Sequence, residues 1–238
     1  MANGKIFYFG YGSNLLAKRI LLNNPTAVRK GAAKLSTPCE IASHSIKQFA
    51  VGSCLKWLHV YGDSSPSISN VKKWAGYRLD FNGYTQRWGG AVATIVPDKG
   101  RHVWGSLWEI NTSDIGNLDR QEGVQDGVYM PIVVGIETPI GEILEARTYK
   151  YIRDPPPPAP SDTSVSLGHL WKDLPNERRP SPEYKRIIVI GAIETGLPRD
   201  YVEALEMIAA NDYQGSSGLS VIPLEEFHRT GPMASFAQ

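Results

Sequence analysis

The chain of 238 residues suffices for one domain with room for insertions, and its 42% hydrophobic and 21% charged content is ordinary for a globular protein with a full core. A net charge of +1 gives no field for nucleic acid or an anionic membrane, and no apolar run reaches the roughly 18 residues of a membrane span. Two cysteines, Cys39 and Cys54, are too few for a disulfide scaffold, the five histidines lack metal-ligand spacing, and no secretory segment follows Met1; no metal and a cytoplasmic location are expected.

Ile6-Phe7-Tyr8-Phe9 has strand character and breaks at Gly10 and Gly12, after which a short basic helix is expected over 15–22. Glycines there let the chain turn sharply and present N–H groups unshielded by a Cβ. Ser13 and Asn14 fall at the N-cap of that helix, so orphan donors and the positive dipole end point to a place for a carboxylate or an oxyanion. Asn23-Asn24-Pro25 stops the helix, and 26–35 reads as extended or irregular. From about 36 to 73 the sequence loses sustained alternation and ends in a Ser/Pro/Gly-rich stretch, which reads as an insertion.

Strands are expected over 75–81, 88–96 and 102–110, the last two as a hairpin across Pro97-Asp98-Lys99-Gly100. A capped helix over about 114–122 ends at Gly123. The β-branched run 128–138 pairs with 141–153, and the prolines after Asp154 open a second insertion to about 176. Ser181 and Pro182 start a helix running toward Gly196, and 200–210 forms an amphipathic one. Residues 215–238 read as a loose polar tail. The fold class is α+β: a small, mixed, mostly antiparallel β-barrel with flanking helices, one domain over 1–214 carrying insertions at about 36–73 and 154–176.

Glu122 stands at a helix end before a glycine, where the negative end of the dipole opposes a carboxylate and raises its pKa. Such a group suits general acid–base work, and its bland counterpart is a solvated helix-end glutamate. Tyr129, Tyr149 and Tyr184 each sit in or beside an apolar element, where a core or rim role competes with ligand contact.

Taken together, Tyr8-Phe9-Gly10-Tyr11-Gly12-Ser13-Asn14-Leu15, Trp88-Gly89-Gly90-Ala91-Val92-Ala93-Thr94-Ile95, Val103-Trp104-Gly105, Leu118-Asp119-Arg120-Gln121-Glu122-Gly123-Val124 with Gly127-Val128-Tyr129, and Pro180-Ser181-Pro182-Glu183-Tyr184-Lys185 follow one order. In these motifs and their order the chain resembles the γ-glutamylcyclotransferase family over most of 5–35, 75–153 and 177–214. The resemblance implies a cofactor-free homodimer that cyclises the γ-glutamyl group of small γ-glutamyl amino acids to 5-oxoproline, releasing the free amino acid. It places the catalytic glutamate at Glu122 and the substrate loop at Tyr8, Phe9, Gly10, Tyr11, Gly12, Ser13 and Asn14, with further binding residues at Tyr184, Tyr129 and Tyr149. Ser13 then reads as a turn and binding residue, because the attacking nitrogen comes with the substrate. The two insertions are extra to the family pattern. They leave as alternatives a catalytically impaired form or a non-enzymatic protein binding a small ligand or a partner on the same fold. Glutathione-specific and γ-glutamylamine cyclotransferases are further alternatives, against which Asn14-Leu15-Leu16 speaks.

Overall fold

The structure, a computed structural model, describes residues 4–35, 76–155 and 171–219; the first insertion with both cysteines, and most of the second, lie outside them. Among the described residues seven strands run in chain order as β1 (Lys5–Gly10), β2 (Val28–Leu35), β3 (Tyr77–Thr85), β4 (Gly90–Pro97), β5 (Val103–Asn111), β6 (Tyr129–Glu137) and β7 (Ile143–Tyr151). The helices are α1 (Ala17–Leu21), α2 (Ile115–Gln121), α3 (Pro182–Thr195) and α4 (Arg199–Glu206). Five strands bond in the order β1-β5-β2-β6-β7, and the series closes where Tyr8 pairs in parallel with Arg147; the other pairings are antiparallel.

The reading of 26–35 as extended or irregular resolves to its extended form, and one strand pairing is corrected. The segment 26–35 contains a regular strand, β2, which pairs with both β5 and β6. Its register slips between Arg29 and Gly31, where Gly31 takes a φ of 126°, so the bulge breaks the alternation that marks a strand. The expected hairpin between 88–96 and 102–110 does not form: β4 pairs with β3 in a separate two-stranded sheet, and β5 goes to β1 and β2. The intervening turn is held by the start of β3 instead. Asp98 N–H donates to Gly76 O, and Tyr77 N–H to Arg101 O.

Helix α3 explains how the site is held. Ile187, Ile188, Val189 and Ile190 are successive and all buried, so the helix is enclosed on every side rather than amphipathic. Each such side chain contributes about 1.5–3 kcal/mol of burial. Ser181 Oγ caps it by accepting from the Tyr184 N–H, and Gly196 ends it in the left-handed region at φ 76°. The last six residues of the expected second insertion belong to this packing. Trp171 and Leu174 are buried, and Trp171 Nε1 donates to Leu79 O at 2.9 Å. The start of the expected loose tail is likewise held, since Glu183 accepts from Ser216 Oγ and the Ser217 N–H while Leu219 is buried. Polar composition hid both anchors, which rest on a few buried side chains among polar neighbours.

Candidate active site

The turn after β1 does not form the capped helix that its sequence suggests. A 3-10 turn over Ser13–Leu15 comes first, its N-cap is Gly12, and neither Ser13 nor Asn14 caps through its side chain. Leu15 and Leu16 donate their N–H groups back to Gly12 and Ser13 carbonyls, and α1 has only five residues. The loop therefore does not stand at the capped N-terminus of a helix. What the turn does is bury Asn14 and aim its amide across the pocket.

Asn14 links three elements. Its Nδ2 donates to the Tyr8 hydroxyl at 2.8 Å and to Glu122 Oε1 at 2.9 Å, and its Oδ1 accepts from Gln121 Nε2 at 2.7 Å. Trp108 Nε1 fixes the Asn14 carbonyl at 3.1 Å. With both amide hydrogens and the amide oxygen engaged, only one orientation of the side chain satisfies all its partners. Glu122 is the C-cap of α2, as its position before Gly123 suggested. Its carboxyl is enclosed although the residue as a whole is half-buried, and Gln121 adds a second donor to Oε1 at 3.3 Å. Among the described residues no hydrogen bond reaches Oε2, which is left to receive a ligand.

Burial is the main cause that pushes the Glu122 carboxyl above its ordinary range. The field of Arg19 and the donors Gln121 and Asn14 oppose the rise, and nearby Asp119 adds to it. The rise was expected from the helix end; its sources are desolvation first and Asp119 second.

One concave pocket is lined by Tyr8, Tyr11, Gly12, Ser13, Asn14, Ala93, Glu122, Tyr129, Tyr149 and Tyr184. Eight of the expected site residues thus meet at Glu122. Phe9 does not join them: it is fully buried in the core. Gly10 is also absent from the lining and packs against the backbone of Asn14, where an added Cβ would stand 3.1 Å from Asn14 O. The five tyrosines differ in what their hydroxyls have left to give. Tyr11 donates to Tyr149 O, and Tyr129 donates to Ala93 O at 2.6 Å. Tyr149 donates to Asp119 Oδ1 and accepts from Arg147 Nε at 3.0 Å. Tyr8 and Tyr184, by contrast, are acceptors here, from Asn14 and from the Ala93 N–H at 3.1 Å, so their own protons remain to be donated.

Burial raises the pKa of all five, of Tyr184 to about 12, which keeps them neutral phenols near pH 7. Sequence reasoning missed Asp119 and Arg147, joined at 2.6 Å, which hold Tyr149 in place. Arg147 and Tyr149 sit two apart on β7 and so share a face, a readable signal once the strand is known.

Tyr184→Phe tests the division among the tyrosines. Removing the hydroxyl strips the buried Ala93 N–H of its acceptor, which is expected to cost about 1–3 kcal/mol of stability. A thermal melt reads that loss. Turnover is expected to fall further than stability alone accounts for, because one of two free phenolic donors is gone.

A family model described as the AIG2-like family matches residues 102–205. The chain is 32% identical over 212 residues to the gamma-glutamylcyclotransferase of Bos taurus, covering 87% of this chain and 81% of that one. It is 34% identical over 208 residues to the Homo sapiens protein of the same name, with the same coverage. A solved structure titled gamma-glutamyl cyclotransferase superposes with a TM-score of 0.62 at 30% identity, covering 90% of this chain and 93% of that one. Identity above 30% over most of both sequences, with the glutamate, the asparagine turn and the tyrosines gathered in one pocket, establishes that this chain belongs to the γ-glutamylcyclotransferase family.

Proposed function

We propose that the protein cyclises the γ-glutamyl group of γ-glutamyl amino acids to 5-oxoproline and releases the free amino acid, with Glu122 as the shuttling acid–base. The observation that carries the reading is the enclosed Glu122 carboxyl with Oε2 unclaimed, facing neutral phenols. A substrate α-amine has a pKa near 8 and arrives mostly as ammonium. Glu122 receives that ammonium and takes its proton. The freed nitrogen attacks the substrate's own γ-carbonyl and closes a five-membered ring, so folding the substrate supplies most of the proximity. The tetrahedral oxyanion is met by the Tyr184 and Tyr8 hydroxyls and by backbone N–H groups of the 12–14 turn, each donor worth on the order of 3 kcal/mol. Glu122 then returns its proton to the departing nitrogen as the C–N bond breaks, and the second proton of the attacking nitrogen passes by the same carboxyl to the released amine, which leaves as ammonium beside the neutral lactam. The balance closes with the substrate's own nitrogen as nucleophile: one C–N bond forms as the other breaks, and no electrons change hands.

The reading carries with it a cytoplasmic homodimer, supported by the family pattern, and sedimentation of the purified protein measures its oligomeric part. The central test is formation of 5-oxoproline from γ-glutamyl-alanine by purified protein. Equimolar 5-oxoproline and alanine are expected; a folded protein that yields neither overturns the proposal.

A further inference from the structure

Arg19 is charged, 3% exposed, and unpaired: its Nε and Nη1 have no hydrogen-bond partner among the described residues, and no ion pair there includes it. A buried guanidinium cannot shed its charge and normally sits on a carboxylate. Here it lies 5.9 Å from the ring centre of Trp88, and the exposed Arg87 stands 5.5 Å from the same ring. Trp88 in turn packs 4.8 Å from Tyr184, a wall of the pocket. Two cations with no acid between them therefore flank an aromatic at the edge of the site. Arg19 is close enough to Glu122 and Tyr184 that each feels its charge.

We propose that Arg19 is the subsite for a substrate carboxylate, with Arg87 adding positive charge at its outer edge. The inference rests on the cyclotransferase reading and deepens it. A γ-glutamyl amino acid is a zwitterion with a surplus carboxylate. Glu122 answers its ammonium, and a cation unpaired in the protein answers the anion. Guanidinium presents a planar fork that matches a carboxylate in two parallel bonds, which Lys does not. One carboxylate lies beside the ammonium; the other belongs to the departing residue. Both share this chemistry, and the arms of the test separate them.

The test uses the full chain with Arg19→Gln and Arg19→Lys. Calorimetric titration with 5-oxoproline, which keeps only the α-carboxylate, reads binding without turnover. Kinetics with γ-glutamyl-alanine and γ-glutamyl-alaninamide read the departing carboxylate. If Arg19 takes the α-carboxylate, 5-oxoproline binds about 10–100-fold more weakly to Arg19→Gln and KM rises equally for both substrates. If it takes the departing carboxylate, the parent prefers the acid over the amide and Arg19→Gln erases that preference. Arg19→Lys recovers only part of either effect.

The melting temperature separates a ligand site from a structural one. Deleting an uncompensated buried charge leaves the free protein as stable as the parent or more so. A lowered melting temperature together with 5-oxoproline affinity and both KM values within twofold of the parent overturns the proposal. Failure of the reaction reading looks different: the parent itself then makes no 5-oxoproline, while the titration still reports on Arg19.

Discussion

Glu122→Gln is expected to lower kcat about 10³-fold, the middle of the range for a positioned acid–base. The substitution keeps the shape of the side chain and an oxygen to accept from Asn14, so the linkage of Tyr8, Asn14 and Gln121 persists. What goes is the ability to hold an ammonium, a loss read in KM, and the ability to take its proton, a loss read in kcat. Stability moves the other way. Burial raises the Glu122 pKa in the folded protein, so its protonated form favours folding below the unfolded pKa, and this contribution is lost as pH rises through the folded one. Glutamine stays neutral throughout, and the variant melts at or above the parent temperature near pH 8. An inactive variant that also melts far lower would mean a structural glutamate.

The same shift sets the acid limb of the pH–rate profile. The limb in kcat/KM is expected above the ordinary carboxyl value of 4.5, because base chemistry needs Glu122 ionised. The groups that act on it are Arg19, which lowers its pKa, and Asp119, which raises it. Tyr8, Tyr11, Tyr129 and Tyr184 also feel its charge but are neutral in this range. Arg19→Gln removes the stabilising cation and is expected to move the limb to higher pH.

Local chemistry made much of this site legible. Gly123 marked the end of α2 and so placed Glu122 at its cap, and the glycines around Tyr11 announced a turn. The turn's purpose was not legible, because a capping residue and a buried hydrogen-bond hub are both written as asparagine. Only the long-range contact with Gln121 and Glu122, more than 100 residues away, distinguishes them. Strand pairing failed for a related reason. The run Trp88 to Ile110 with a four-residue turn satisfies every local rule for a hairpin, yet β4 is buried on both faces and pairs with the earlier β3. Local rules do not encode which of two sheets a strand joins. Arg19 was hidden in a short basic helix, since nothing local says which basic residue turns inward.

Gly191→Ala is expected to destabilise the protein by about 3 kcal/mol or more, at the top of the range for overpacking. Gly191 lies on the buried helix α3, where a Cβ would stand 2.4 Å from Leu16 N, 2.5 Å from Leu15 C and 2.7 Å from Leu15 Cβ. Two of these are backbone atoms that cannot rotate aside. Either α3 or the 13–16 turn must move, and α3 is locked by four enclosed aliphatic side chains, so the turn yields. That turn carries Asn14, and a displacement near 1 Å breaks the alignment of Tyr8 and Glu122, for which a loss of about 10²-fold in kcat/KM is the expected scale. At this chain length each kcal/mol corresponds to about 2–4 °C, so a fall of about 6–12 °C is expected in the melt. Gly116→Ala is the control. It sits in α2, where an added Cβ makes only ordinary contact with Arg120 Nη1 at 3.9 Å, so alanine there fits and gains helix propensity of up to about 1 kcal/mol. If the two variants melt alike, α3 does not press on the turn as described, and the pocket must be held in shape by β1 alone.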